Sequence, residues 1–142
     1  MFNTIEGFYS KTDLGLLVLH FLNLPFHPKH QSHEVSLHFS TFFRKTKLSE
    51  CKKSPSWNQY KPHQDSLSFD LAGLIYFNSN SLKDGTYLFN QRNDNEPTVI
   101  IGSRLNRCVW YDTQTWHSPT MEQSVDERWT QPFFITYKEE TL

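Results

Sequence analysis

Two cysteines, Cys51 and Cys108, are all that the 142-residue chain carries. They allow one disulfide at most, which rules out both a disulfide scaffold and a four-cysteine zinc site. An excess of charge of either sign is also missing. Fourteen lysines and arginines stand against 15 aspartates and glutamates, for a net charge of −1, and this balance argues against a polyanion binder held by bulk electrostatics. No apolar run reaches the ~18–20 residues needed to cross a bilayer: residues 14–22 are too few and include His20. The opening Met1-Phe2-Asn3-Thr4-Ile5-Glu6 lacks the basic start and apolar stretch of a signal peptide. The expectation is a soluble, cytoplasmic protein with neither membrane nor nucleic acid among its partners. Hydrophobic residues make up only 37%, but 15% of the chain is aromatic, including twelve phenylalanines. Each ring buries a large area, so a core is attainable and full disorder is not expected. The length suits one domain. Seven histidines are many for this size, and they are where chemistry is sought.

Near the start, Ser10 precedes Lys11, Thr12 and Asp13 in a capping-box-like arrangement, with Asp in place of the usual Glu. Residues 14–22 follow, apolar on nearly all sides, and Pro25 and Pro28 stop them. This predicts a well-buried helix of about three turns. The pattern then takes period two. In 34–43, Val35, Leu37, Phe39, Thr41 and Phe43 share one face and Glu34, Ser36, His38 and Ser40 the other, as in a half-buried strand. Residues 45–62 are polar and lysine-rich and read as an exposed loop. Further strands are predicted at 61–69, 72–78, 86–90, 98–102, 107–112, 115–118 and 128–137, with polar breaks at 78–85, 91–97, 113–114 and 118–127. Roughly eight short strands with regular turn signals point to a mainly β sandwich or jelly roll.

His63-Gln64-Asp65 is the strongest local signal. On a strand, i and i+2 project to the same face, so an imidazole and a carboxylate would enter one space. With a second histidine they match the facial triad of non-haem Fe(II) oxygenases, which leaves three positions open. In a chain rich in His and Asp, the motif also arises by chance. His117 is the one histidine after His63 and so the one downstream candidate for a third ligand; its plainer reading is a surface histidine in a turn before Pro119. Arg128 and Thr130, again i and i+2, place a guanidinium fork beside a hydroxyl, a pairing that suits a carboxylate. The plainer alternative is an edge-strand arginine paired with Asp126 or Glu127. His27, His30, His33 and His38 do not make a zinc site: His33 and His38 would face opposite ways on a strand, and Pro28 breaks any helical pairing. His20 reads as a core or boundary residue. Cys108 reads as core, and nothing near Cys51 forms a nucleophile pair.

Taken in order along the chain, these residues resemble the Fe(II)- and 2-oxoglutarate-dependent oxygenases, in particular the prolyl 4-hydroxylase-like branch. Tyr60-Lys61-Pro62-His63-Gln64-Asp65 resembles its Tyr-x-x-His-x-Asp, and Leu74-Ile75-Tyr76-Phe77-Asn78 its Tyr-Leu-Asn strand. Gly85-Thr86 with Phe89 resembles its Gly-Gly/Thr turn and following aromatic, and Arg128-Trp129 falls where the family places its basic residue after the second histidine. The resemblance spans residues 57–137. It implies a double-stranded β-helix (jelly roll, cupin-like) with one N-terminal helix. It implies His63, Asp65 and His117 as iron ligands and Arg128 on the distal carboxylate of 2-oxoglutarate. Tyr76 and Thr130 would add hydrogen bonds to that carboxylate, and Tyr60 would line the pocket near the metal. Fe(II) and 2-oxoglutarate are the implied cofactors, with ascorbate as an accessory reductant. The implied reaction is hydroxylation of a C–H bond in a peptidyl (prolyl or other) or amino-acid substrate, releasing succinate and CO2.

Two departures stand out: one glycine at 84–86 where the family often has two, and a short region before Trp57. In its compactness the chain is similar to small oxygenases encoded by phages and marine microbes. One domain over 1–142 is expected, with a helix and strand in 1–45, an exposed loop at 46–60 and a catalytic core at 57–138. Selectivity would come from loop 45–62 acting as a lid, from the turns after Asn78 and Ser118, or from a partner chain. Two rival readings are a jelly-roll binding module without catalysis and a cupin-like metalloenzyme that does not use 2-oxoglutarate.

Overall fold

The alternation of apolar and polar side chains becomes two stacked antiparallel sheets. A computed structural model of the protein describes residues 2–23, 33–36, 39–47, 62–65, 68–78, 80–119 and 127–136. In chain order the elements are β1 (Phe2–Ile5), α1 (Lys11–Asn23), β2 (His33–Ser36), β3 (Phe39–Thr41), β4 (Arg44–Lys47), β5 (Leu71–Tyr76), β6 (Ser81–Phe89), β7 (Val99–Ser103), β8 (Cys108–Asp112), β9 (Trp116–Pro119) and β10 (Glu127–Ile135). The larger sheet runs β1-β8-β5-β10-β3-β2, with β4 also paired to β10; the smaller runs β7-β6-β9. His63 forms a bridge to His117 of β9 and so extends the smaller sheet by one position.

Period two decides which side chains meet. Ala72 and Tyr76 of β5 and Val109 and Tyr111 of β8 are buried with Leu88 and Ile101 of the smaller sheet, forming the core between the layers. The intervening residues Ile75, Phe77 and Cys108 face the other way and pack against Phe21 of α1. The larger sheet is thus covered by the smaller sheet on one face and by the helix on the other. Burial pushes the Cys108 thiol up to about 11, so it stays protonated at neutral pH, as a core cysteine should.

The helix starts where its cap predicts. Ser10 Oγ accepts a hydrogen bond from the Asp13 amide at 3.2 Å, and Leu14 N–H donates to Ser10 O. Replacing Ser10 by alanine should cost about 1 kcal/mol, read as a lowered urea midpoint with an unchanged slope. The helix is not well buried, contrary to its all-round apolar sequence. Leu14, Leu17 and Phe21 form the packed stripe, while Leu16, Leu19 and Leu22 are 62%, 57% and 59% exposed. A helix lying on one sheet can bury only the stripe that faces it. Phe21 is fully enclosed and stacks on Trp129 at 5.5 Å. His20 is exposed, against the expectation of a core or boundary residue, with its ring 5.0 Å from that of Phe43.

Several strand predictions hold: β5, β7, β8, β9 and β10 lie where the alternation puts them. Others need correction. Residues 34–43 are not one strand, because β2 and β3 are separate strands that pair antiparallel, with His33 opposite Thr41. Alternation reports a face, not a direction. Loop 45–62 begins instead as strand β4, whose Lys45 and Lys47 pair with Glu127 of β10. Lys45 also lies over the Trp129 ring, so β10 supplies what a polar strand lacks. Residues 48–61, including Tyr60, Cys51 and the rest of the expected lid, lie outside the described residues, as do His27, His30 and His38. Of predicted strand 61–69, the described residues show a bridge at His63 and a turn at 68–70, and the predicted break at 78–85 is partly strand β6. No helix among the described residues is long and apolar enough to cross a membrane.

Candidate functional site

His117 is held from both sides. Its backbone pairs with Leu88 of β6 on one edge and with His63 on the other. The second pairing is reciprocal, His63 N–H to His117 O and His117 N–H to His63 O, both at 2.9 Å. Residues directly opposite across such a pair project from the same face, and the two imidazole centroids stand 4.4 Å apart. Gln64, whose side chain donates to Gln114 O at 2.6 Å, ties the segment to the turn before β9. Asp65, two residues beyond His63, brings its carboxylate to the same place, with Oδ2 3.2 Å from His117 Nε2. One ligand atom each from His63, Asp65 and His117 falls within 4.8 Å of the others. The structure therefore brings together the three residues that the sequence singled out.

This donor set fits a divalent transition metal. Two cis ligands at about 2.1 Å from one ion stand about 3.0 Å apart, close to the Asp65–His117 separation. His117 Nδ1 lies 3.0 Å from Thr115 O. Donation of Nδ1–H to that carbonyl leaves the Nε2 lone pair facing Asp65, the tautomer a metal ligand requires.

The cavity beside the cluster has a volume of about 70 Å³, and both sheets contribute to its lining. Arg128 enters from β10, which is a central strand and not an edge, and Glu127 points away to Lys45 and Lys47. Arg128 Nη2 donates to Gly85 O at 3.0 Å, and the guanidinium lies 5.6 Å from the Tyr76 ring centroid. Its Nε is buried and has no hydrogen-bond partner among the described residues. A buried N–H of this kind is costly unless something completes it, and a carboxylate in the cavity would do so. Tyr76 is fully buried, with its hydroxyl 2.7 Å from Thr86 Oγ1. Burial raises its phenol above the ordinary range, with Arg128 opposing the shift. Thr130 is buried on the face of β10 that carries Arg128.

Two lining residues escaped the sequence reading. Tyr111 of β8 packs its ring 4.8 Å from that of His117. Burial, and next the charge of Asp65, push its phenol well above the ordinary range, so it remains a neutral hydrogen-bond donor. Its inward parity with Val109 was the available signal. Arg44 of β4 also lines the cavity. It stood at the border of a segment read as loop, and nothing local marked it.

No protein-family model and no curated protein sequence matches the chain. Among solved structures, it is similar to the crystal structure of SnoN, a non-haem α-ketoglutarate-dependent epimerase from nogalamycin biosynthesis. The TM-score is 0.55 at 9% identity, over 95% of this chain and 78% of that one. A prolyl 4-hydroxylase from Phytophthora capsici is matched with a TM-score of 0.45 at 14% identity, over 91% of this chain and 40% of the other. The two-sheet topology and the likeness to SnoN agree with the expected architecture: the chain has a jelly-roll fold.

Proposed function

We propose that the protein is an Fe(II)- and 2-oxoglutarate-dependent dioxygenase that hydroxylates a C–H bond of an amino-acid or peptidyl substrate. One observation carries the reading: a His-Asp-His cluster and a buried arginine with an incomplete hydrogen-bond set line the same cavity of a jelly roll. His63, Asp65 and His117 would hold the metal on one face, and Arg128 would grip the far carboxylate of the cosubstrate. Iron and 2-oxoglutarate, when bound, supply oxygen activation, and the cosubstrate leaves as succinate and CO2.

The chain's own part is positioning and exclusion. The reciprocal His63–His117 backbone pair fixes two ligands to one strand edge, and Thr115 O sets the tautomer of the second. Gly85 O and the Tyr76 ring hold the Arg128 plane, so little rotamer freedom remains to be lost on binding. Leu74, Pro119, Pro132 and Phe134 complete the lining with apolar surface that keeps water from the reacting centre.

Anaerobic addition of Fe(II) and 2-oxoglutarate should produce the visible charge-transfer band of the chelate; its absence would sink the proposal. Removing the guanidinium in Arg128→Gln should weaken 2-oxoglutarate binding by about 2 kcal/mol, roughly thirtyfold, the worth of a charge-assisted pair. Titration of that band reads the loss. Product mass then separates outcomes: an added oxygen marks hydroxylation, whereas a product of unchanged mass marks an isomerisation like that of SnoN. Metal binding with indifference to 2-oxoglutarate in both wild type and Arg128→Gln would mark a cupin-like enzyme, and no metal binding a binding module.

A further inference from the structure

We infer that the Tyr111 hydroxyl holds the metal-end carboxylate of the cosubstrate, as the counterpart of Arg128 at the far end. The inference deepens the proposed function and rests on it for the identity of the ligand; the placement of the hydroxyl does not. Tyr111 of β8 lies opposite Ala72 of β5, and Ala72 lies opposite Phe134 of β10. Paired residues share a face, and Tyr111 and Phe134 both line the cavity beside His63, Asp65 and His117. The Tyr111 ring stands 4.8 Å from that of His117, which is itself 4.4 Å from that of His63. Burial acts most strongly on this phenol, then the charge of Asp65, and Arg128 last. Tyr111 therefore belongs to the metal end of the cavity. Arg128 belongs to the other end, beside the Tyr76 ring and Gly85 O.

The hydroxyl is informative because nothing answers it. Tyr111 is 3% exposed, yet its O–H makes no hydrogen bond among the described residues. The hydroxyls of Tyr9 and Tyr76, by contrast, are paired with Gln131 Oε1 and Thr86 Oγ1 at 2.6 and 2.7 Å. A buried tyrosine normally finds such a partner, and one left without it is costly. Packing against His117 needs only the ring, which phenylalanine would supply. Arg128 Nε is likewise buried without a hydrogen-bond partner. One unanswered donor toward each end of one cavity suits a ligand with an oxyanion at each end, as 2-oxoglutarate has. A phenol donating to a carboxylate makes a charge-assisted hydrogen bond, and the shielded site strengthens it.

The test uses zinc(II) as a redox-silent metal and three probes followed by ligand-observed NMR. They are 2-oxoglutarate, 2-oxopentanoate (metal-end carboxylate alone) and 4-oxopentanoate (far carboxylate alone). Tyr111→Phe keeps the ring and removes one oxygen. It should bind 2-oxoglutarate about tenfold more weakly than wild type, lose a similar factor on 2-oxopentanoate, and keep its affinity for 4-oxopentanoate. Arg128→Gln should show the converse with the two monoacids. Zinc affinity should not change in Tyr111→Phe. The metal-free variant should melt at or above the wild-type temperature, because an unanswered buried hydroxyl has gone. Equal 2-oxoglutarate binding by wild type and Tyr111→Phe would overturn the inference alone. So would a loss falling on 4-oxopentanoate, which would move the hydroxyl to the far end. A fall in zinc affinity would assign it to the metal ligands instead, and a lowered melting temperature to the fold. If wild type binds zinc but no 2-oxoglutarate, the dioxygenase reading fails first and takes this inference with it.

Discussion

On the proposed ligand set, alanine at Asp65 should lower Fe(II) affinity by more than about a hundredfold. Partners that merely orient metal ligands are worth tenfold to a hundredfold, and a direct anionic ligand is worth more. Asp65 is the sole carboxylate in the described cluster, so its loss leaves two imidazoles, one donor and one negative charge short of the facial set that holds Fe(II). The carboxylate lies against His117 Nε2, at the position where donors converge. The measurement is anaerobic iron titration of wild type and variant, with the 2-oxoglutarate charge-transfer band as the second readout. Thermal unfolding of both metal-free proteins separates ligation from folding, because the apo melting temperatures should differ little while the iron-induced rise disappears in the variant. A band that persists in Asp65→Ala would show that the ligand set is wrong.

Much of the arrangement was legible in the sequence because period two is a strong signal where one face is buried. Strands β5 and β8 carry their rings and aliphatics on alternate positions, and both faces are used, one by the smaller sheet and one by Phe21. The grouping of His63, Asp65, His117 and Arg128 was readable for a different reason: the i, i+2 spacing sets His63 and Asp65 on one face, and the order of the four residues resembles that of the oxygenases. What stayed hidden depended on pairing. Strand β1 has mostly exposed side chains and exists because β8 offers it an edge. Strand β4 is polar throughout and is held by Glu127 and Trp129, more than 80 residues away in the chain. Arg44 was missed as a cavity-lining residue because its place there comes from facing Thr130, and no local pattern encodes a register between distant strands. The single glycine at position 85, noted as a departure from a two-glycine turn, turned out to mark a backbone contact.

That contact sets the second large expectation. Gly85→Ala should destabilise the fold by about 3 kcal/mol or more, the upper range for overpacking a close-packed site, and should weaken 2-oxoglutarate binding in whatever fraction folds. A Cβ built at Gly85 meets the carbonyl of Ile101 and the Cα of Gly102. These are backbone atoms of β7, not the end of a flexible side chain, so relief requires the strands themselves to separate. The β6–β7 ladder has its register shift between Ser81 and Thr86, and Gly85 sits in that irregular stretch, a place where glycine permits close backbone approach. Its own carbonyl accepts the hydrogen bond from Arg128 Nη2, and its neighbour Thr86 meets the Tyr76 hydroxyl. Moving β6 outward would therefore shift the acceptor that orients the guanidinium and the hydroxyl that anchors the ring beneath it. Urea denaturation of the metal-free protein reads the first effect, and the cosubstrate titration reads the second. Full stability with unchanged 2-oxoglutarate affinity would show that β6 and β7 have slack at this point and that Arg128 is oriented by something other than Gly85.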